Sequence, residues 1–272
     1  MPLTAFQRRL LAALAPARKG DGYLAGGSAL HFEPNSTRYS HDLDFFHDSA
    51  KRVAEAYARD RGVLEEAGYA IELVFSQPGF IRTVVGRDDE ATQIDWAHDS
   101  SWRFMPLVED ELGGLLLHRV DLAVNKALAL AGRDEPRDLV DILFVHDTIL
   151  PLGAVVWAAV GKDPGFSPPS LLEQLRRTGR FRPEDIQRLD LARPFDLQEG
   201  KTRWLAALED ADAFVAARPP EEVGCLYYSS GHGRFVQPSL GGTLEAEGLV
   251  AHFGRPGGVV PRPTDQALPP PA

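Results

Sequence analysis

Residues 26–44, GGSALHFEPNSTRYSHDLD, decide how this chain is read. Asp42 and Asp44 stand two apart on a strand-like run, SHDLDFFHD. Both carboxylates therefore point to one face and Leu43 to the other. Two carboxylates that close repel, which raises one pKa unless a cation lies between them. A divalent ion resolves the conflict, and ligation by oxygen alone favours Mg2+ or Mn2+. At the other end of the stretch, Gly26 and Gly27 permit a tight turn before Ser28 opens a helix. Amides of such a turn and helix start face outward and suit a phosphate. Alone, Gly-Gly is usually just a turn and Asp-x-Asp a solvated edge. In this order they form a candidate polyphosphate cradle followed by a candidate metal clamp.

The sequence around this stretch supplies a mixed sheet. Residues 4–17 carry Phe6, Leu10, Leu11 and Leu14 at helical spacing, and Tyr23–Ala25 reads as a short strand. Residues 49–69 predict a helix with Ser49 as N-cap and Gly68 as its stop. Three strand-like runs follow at 69–76, 80–87 and 92–99, joined by Gln-Pro-Gly and Asp-Asp-Glu turns. That makes a sheet of about five strands. From Leu115 the pattern turns helical: residues 118–134 and 136–149 predict two helices, with Pro136 suited to a first turn. Further helical runs follow at 153–160, 170–177, 183–190 and 198–217, then two short strand-like runs at 225–230 and 234–238. The division expected is a core over 1–114, a helical region completing the active site over 115–222, and a short β hairpin with a disordered Pro-rich tail over 223–272.

Composition narrows the function classes. With 44% hydrophobic and 25% charged residues the chain is an ordinary globular protein, neither disordered nor collagen-like. No run of 18 uncharged apolar residues offers a membrane span, and Arg8 and Arg9 interrupt the apolar start, so no membrane partner is expected. Lys and Arg number 29 against 39 Asp and Glu, a net charge of −10. That argues against a nucleic-acid binder over its whole surface but leaves room for a local basic groove. The single cysteine, Cys225, excludes an internal disulfide and points to a reducing cytoplasm; it reads as a small hydrophobe on a strand. His31, His41 and His47 flank the first motif without the spacing of a zinc site.

GGSAL followed by RYSHDLDFF resembles the first motif of the DNA polymerase beta-like nucleotidyltransferase superfamily. More narrowly, it is similar to the AbiEii/AbiGii toxin family. That family shows a Gly-Gly-Ser/Thr-Ala-Leu start, Arg-x-Ser before Asp-x-Asp, then a Lys helix followed by Arg-Asp-x-x-Asp. This chain has Arg38 and Ser40 before Asp42, then Lys126, then Arg137, Asp138 and Asp141. The resemblance spans residues 23–145. It implies an α/β (α+β) nucleotidyltransferase core, a mixed sheet flanked by helices, followed by a helical C-terminal region. The implied reaction moves a nucleoside monophosphate from an NTP to an acceptor and releases pyrophosphate, with tRNA or another RNA favoured. The implied role is that of a toxin restrained by a cognate antitoxin.

The resemblance also assigns residues. Asp42 and Asp44 would hold two magnesium ions. A third carboxylate on a neighbouring strand is implied, and Asp95 fits it better than Asp99, which follows the strand. Gly26, Gly27 and Ser28 would hold phosphates, with Arg38, Ser40 and Lys126 also on the nucleotide. Read without the resemblance, Lys126 snorkels out of an apolar helix, and Arg137 and Asp141 form an i, i+4 pair. Asp141 belongs to the family's fourth motif, without an assigned chemical role. Arg176, Arg177, Arg180 and Arg182 are either a solvated helix end or a landing site for RNA. Two competing functions keep the same fold: nucleotide transfer to a small molecule or protein, and a non-catalytic nucleotide-binding module.

Overall fold

The structure, a computed structural model, describes residues 3–18, 20, 22–32 and 36–262. The end of the Pro-rich tail, residues 263–272, lies outside the described residues. The chain divides into two compact units: Met1–Ser101, Pro106–His118 and Asp190–Arg193 form one, and Trp102–Met105, Arg119–Leu189 and Pro194–Ala272 the other.

In the first unit, α1 (Ala5–Leu14) starts on a capping box that satisfies two helix-end amides. Thr4 Oγ1 accepts from the Gln7 amide at 3.1 Å, and Gln7 Oε1 accepts from the Thr4 amide at 2.9 Å. Next come β1 (Tyr23–Ala25), α2 (Gly26–Leu30), β2 (Asp42–His47) and α3 (Ala50–Glu66). The Ser49 hydroxyl accepts from the Arg52 amide at the start of α3, and Gly68 ends it with φ +82°. A meander of β3 (Ala70–Gln77), β4 (Phe80–Arg87) and β5 (Glu90–His98) completes the expected strands. The two-residue β6 (Trp102–Arg103) belongs to the second unit.

The first unit then gains two strands absent from the sequence reading, β7 (Val108–Asp110) and β8 (Gly114–Leu116). Three residues are too few to show alternation, and β8 runs across the expected boundary at residue 114. The sheet thus has seven strands in the order β3-β4-β5-β2-β1-β8-β7. It is mixed: β2 runs parallel to β5 and β1 parallel to β8, while β1–β2, β3–β4, β4–β5 and β7–β8 are antiparallel.

Alternation gives this sheet two different faces. Leu43, Phe45, Ile81, Val85, Ile94 and Trp96 are buried on one, with Val53, Ala56 and Leu64 of α3 also in the core. Asp60 of α3 anchors this layer, accepting from Arg18 Nη2 at 2.8 Å and Trp96 Nε1 at 2.9 Å. The Arg18 guanidinium lies over the Phe45 ring, and burial lowers it to about 10 against the pull of Asp60. The other face carries Phe80, Arg82 and Val84 of β4, Gln93, Asp95 and Ala97 of β5, and Asp42, Asp44 and Phe46 of β2.

The second unit is mainly helical: α4 (Arg119–Gly132), α5 (Pro136–Thr148), α6 (Leu152–Lys162), α7 (Pro168–Arg177), α8 (Pro183–Gln187) and α9 (Leu197–Ala217). Pro136 and Pro168 occupy first turns, where a missing amide costs nothing. The C-terminal part is a three-stranded sheet rather than a hairpin. It orders β9 (Cys225–Ser229) between β10 (Arg234–Val236) and β11 (Leu249–Phe253), with the short α10 (Leu244–Glu247) before β11. A last strand, β12 (Arg255–Pro256), pairs with β6. Cys225, Tyr227, Leu249 and Ala251 pack on Trp157 of α6 and Phe214 of α9 in one core, so this sheet is part of the helical unit. No single helix among the described residues is long and apolar enough to cross a membrane.

Candidate active site

Asp42 and Asp44 stand on one face of β2, both partly exposed, alternating with the buried Leu43 and Phe45. The Ser40 hydroxyl donates to Asp42 Oδ1 at 2.7 Å and so orients that carboxylate. Asp95 is level with Asp44 on the adjacent parallel strand. It is buried, and both of its oxygens are taken by Arg82 on β4, its antiparallel partner. Arg82 Nε donates to Oδ1 at 2.9 Å and Nη2 to Oδ2 at 2.7 Å, a bidentate pair. The Gln93 amide adds a 3.4 Å contact to Oδ2. The bond to Asp95 holds the Arg82 guanidinium above its ordinary value, burial opposes this, and Asp44 and Asp42 add to the rise. Asp99, the weaker candidate, follows β5 and binds the Ser100 amide.

The glycine turn touches the same carboxylates. Gly26 adopts φ +63°, a left-handed conformation that favours glycine, and a Cβ there would overlap the Asp44 carboxylate. A Cβ on Gly27 would stand 2.7 Å from Arg38 Nη2 and 2.9 Å from Ser40 Oγ. The first motif thus folds back on itself, with Gly26 against Asp44 and Gly27 against Arg38 and Ser40. The Ser28 side chain differs from expectation. It is fully buried, and its hydroxyl bonds inward to the Ala25 carbonyl at 3.2 Å, so the expected phosphate contact through the hydroxyl does not match this arrangement.

The loop entering β2 is pinned from several directions. Gln7 Nε2 donates to the Ser40 carbonyl at 2.8 Å, and Thr92 Oγ1 to the His41 carbonyl at 2.8 Å. Residues 190–193 return from far along the chain: Arg38 bridges Leu191, the Tyr39 amide donates to Asp190, and the Ala192 amide to Thr37. Neither this strap nor Arg82 was expected from sequence. Arg82 carries one local signal, a cation on the polar side of an alternating strand.

The second unit gathers the later motif residues. Lys126 is buried on α4 rather than snorkelling out, with Nζ 2.6 Å from Asp141 and 3.3 Å from Asp138, both fully buried on α5. Arg133 closes the cluster with a 2.8 Å contact to Asp138, while Arg137 pairs with Glu135 at 2.7 Å. Asp141 thus has Lys126 as a partner across the helix pair, beyond the i, i+4 pairing anticipated on α5. Of the four later arginines, Arg176 and Arg180 line one cleft of about 720 Å³ with Lys201 and Trp204. Glu209 and Asp212 line it too, and Arg176 is paired with Asp212. Arg177 instead pairs with Glu173 along α7 at 3.0 Å, and Arg182 precedes α8 with its amide on Asp185. The Cys225 thiol is buried and pushed up to about 12 by that burial, which suits packing and not nucleophilic attack.

The donor set fits a divalent ion in part. Asp42 and Asp44 offer partly exposed oxygens on one face, the chemistry that magnesium or manganese takes. Asp95 is buried and more constrained: Arg82 bonds each of its oxygens, leaving a lone pair on each. Among the described residues, no three His, Cys, Asp or Glu side chains come together as a metal set.

The model of the nucleotidyl transferase AbiEii toxin family, from type IV toxin–antitoxin systems, matches residues 9–220. No curated protein matches the chain. Among solved structures, the chain is similar to MenT4, a nucleotidyltransferase toxin from Mycobacterium tuberculosis. The TM-score is 0.53 and the identity 18%, covering 79% of this chain and 83% of that one. It is also similar to a candidate nucleotidyltransferase from H. pylori, with a TM-score of 0.50 and 17% identity, covering 77% of this chain and 93% of that one. At such identities these likenesses show a shared fold. The family match covers most of the chain and includes the Asp42–Asp44 motif and the Lys126–Asp141 pair: the protein belongs to the AbiEii nucleotidyltransferase toxin family.

Proposed function

We propose that the Asp42–Asp44 face transfers a nucleoside monophosphate from an NTP to an acceptor, RNA and tRNA foremost, with release of pyrophosphate. One observation carries this reading: Gly26 lies against Asp44 and Gly27 against Arg38 and Ser40, so the glycine turn and the carboxylates form one locus. Asp42 and Asp44 are the residues proposed to hold Mg2+ or Mn2+. When bound, such an ion would stabilise charge on the reacting phosphate oxygens. Ser40 orients Asp42 through its hydroxyl, and the absence of side chains at Gly26 and Gly27 lets the turn close directly on Asp44, Arg38 and Ser40. Arg38 and Lys126 are carried as phosphate-binding cations from the family resemblance. Membership in a toxin family supports a cognate antitoxin, and a single buried thiol agrees with a cytoplasmic location.

RNA is favoured by the toxin family, with Arg176, Arg180 and Lys201 as the cations gathered at one cleft. The net charge of −10 favours a small-molecule or protein acceptor instead. Incubation with each α-32P-labelled NTP and total cell extract, followed by separation of RNA, protein and small molecules, decides between them. Label in the RNA fraction is expected. Label confined to protein or small molecules would replace the acceptor, and no label in any fraction would contradict transfer.

A further inference from the structure

We infer that the carboxylate face of the first unit continues beyond Asp95 into a stacking platform, Phe75, Phe80 and Arg82, which takes a base of a single-stranded RNA acceptor. The inference rests on the proposed function and deepens it by naming where the acceptor binds. Strand register places four residues in one row across the sheet: Phe75 pairs with Arg82, Arg82 with Asp95, and Asp95 with Asp44. Residues paired in this way share a face of the sheet. Phe80 stands on that face too, two residues before Arg82. Simple alternation from Glu72, which pairs with Val84, would turn Phe75 to the opposite face. The register shift between Leu73 and Phe75 brings it back, as a bulge does when it re-aims a side chain.

The three side chains form one surface. The Phe75 and Phe80 ring centres are 6.1 Å apart, and the Arg82 guanidinium lies over Phe80 with Cζ 5.3 Å from its centre. Two bonds to Asp95 fix the guanidinium plane. Phe75 is 48% exposed on the edge strand β3. An open aromatic ring beside a fixed guanidinium is a surface on which an unpaired base stacks. Glu72 shares the face, so phosphates gain little attraction there and the contact is to the base. In-line displacement assigns that base to the acceptor. Attacking and leaving oxygens stand on opposite sides of the phosphorus. The glycine turn follows β1, on one side of Asp44, while β5, β4 and β3 lie on the other. Pyrophosphate that leaves toward the glycine turn gives the acceptor the side of β5 and β4.

The probe is fluorescein-labelled oligoadenylate, bound to the full chain and read by anisotropy, with NTP affinity measured by calorimetry on the same samples. Phe75→Ala should weaken oligoadenylate binding about tenfold, near 1.4 kcal/mol. Phe75→Leu, which keeps apolar area without a ring face, should lose nearly as much, and Phe75→Trp should restore parental affinity. NTP affinity should stay within about twofold throughout. A measurement on the parent alone covers any variant that does not fold: an abasic oligomer of the same length should bind about tenfold more weakly than oligoadenylate. Equal affinity for the two oligomers overturns the inference, as does parental RNA affinity in Phe75→Ala or Phe75→Leu, or a parent that does not bind oligoadenylate. NTP affinity that falls in step with RNA affinity overturns it by giving the platform to the NTP base. A dimer in sedimentation that is lost in Phe75→Ala while RNA affinity holds overturns it by giving the surface to a second copy. Base-dependent binding without transfer of label from any NTP leaves the platform standing and contradicts the proposed reaction instead.

Discussion

Gly26 lies directly against Asp44: with φ +63° it brings the backbone so close that a methyl group would overlap the carboxylate. The turn and the strand residue are 18 positions apart in sequence and yet have no room for one carbon between them. Gly26→Ala therefore meets two penalties, left-handed strain of about 1 kcal/mol or more and displacement of Asp44. A lower urea midpoint is expected, together with loss of nucleotide transfer. A variant as stable and active as the parent would show that the turn and Asp44 are not packed this way.

Gly27→Ala should behave differently. Its added carbon meets two buried side chains, Arg38 and Ser40, one of which must shift, and Ser40 carries the bond that orients Asp42. Thermal stability should fall by about 1–3 kcal/mol, as for overpacking, without the backbone strain of Gly26→Ala, and NTP affinity should fall about tenfold, near 1.4 kcal/mol. Calorimetry with each NTP checks this, and unchanged affinity would place the triphosphate elsewhere.

The buried cluster on α4 and α5 predicts a stability effect. Lys126→Met leaves Asp138 and Asp141 buried without their ammonium partner, a loss of about 3–5 kcal/mol. Arg133 is half-exposed, so Arg133→Gln should cost about 1 kcal/mol or less. Urea unfolding of both variants tests the contrast. Equal effects would contradict the burial of the Lys126 pair.

Asp121 gives a pH dependence. Burial raises it to about 6 from an ordinary 3.8, although it accepts from the Phe104 and Met105 amides and Lys162 and Arg103 pull it down. The folded state therefore holds this proton more tightly than the unfolded chain. Its contribution is fully present below pH 3.8 and is lost as pH rises through 6. The stability of the parent relative to Asp121→Asn should fall by about 2 kcal/mol between pH 4 and pH 7. Denaturant titrations at the two pH values measure it. A constant difference would mean that the carboxyl keeps its ordinary value.

What is legible in the sequence is what short windows carry. Asp42, Leu43 and Asp44 alternate within three residues, Ser49 and Gly68 bound their own helix, and Pro136 opens another. Arg82 is illegible because its meaning comes from pairing across a hairpin: in FIRTVVGR it looks like any polar residue of an alternating strand. Residues 190–193 hold the Arg38 loop from about 150 positions away in sequence, beyond any periodicity. Lys126 shows its apolar neighbours locally, but its carboxylate partners arise only when α4 and α5 pack. Ser28 shows the reverse: the local motif assigns it to phosphate, and only packing reveals that its hydroxyl turns inward to the Ala25 carbonyl.

The most direct test is transfer of label from α-32P-labelled NTP by Asp44→Asn, with thermal unfolding run on the same sample. Losing one of two neighbouring carboxylates relieves repulsion, so the metal-free variant should melt at or above the parental temperature. Transfer should fall by about 100-fold or more, as expected for removing charge stabilisation worth several kcal/mol. A folded Asp44→Asn variant that transfers label at the parental rate would contradict placing the chemistry on this face of the sheet.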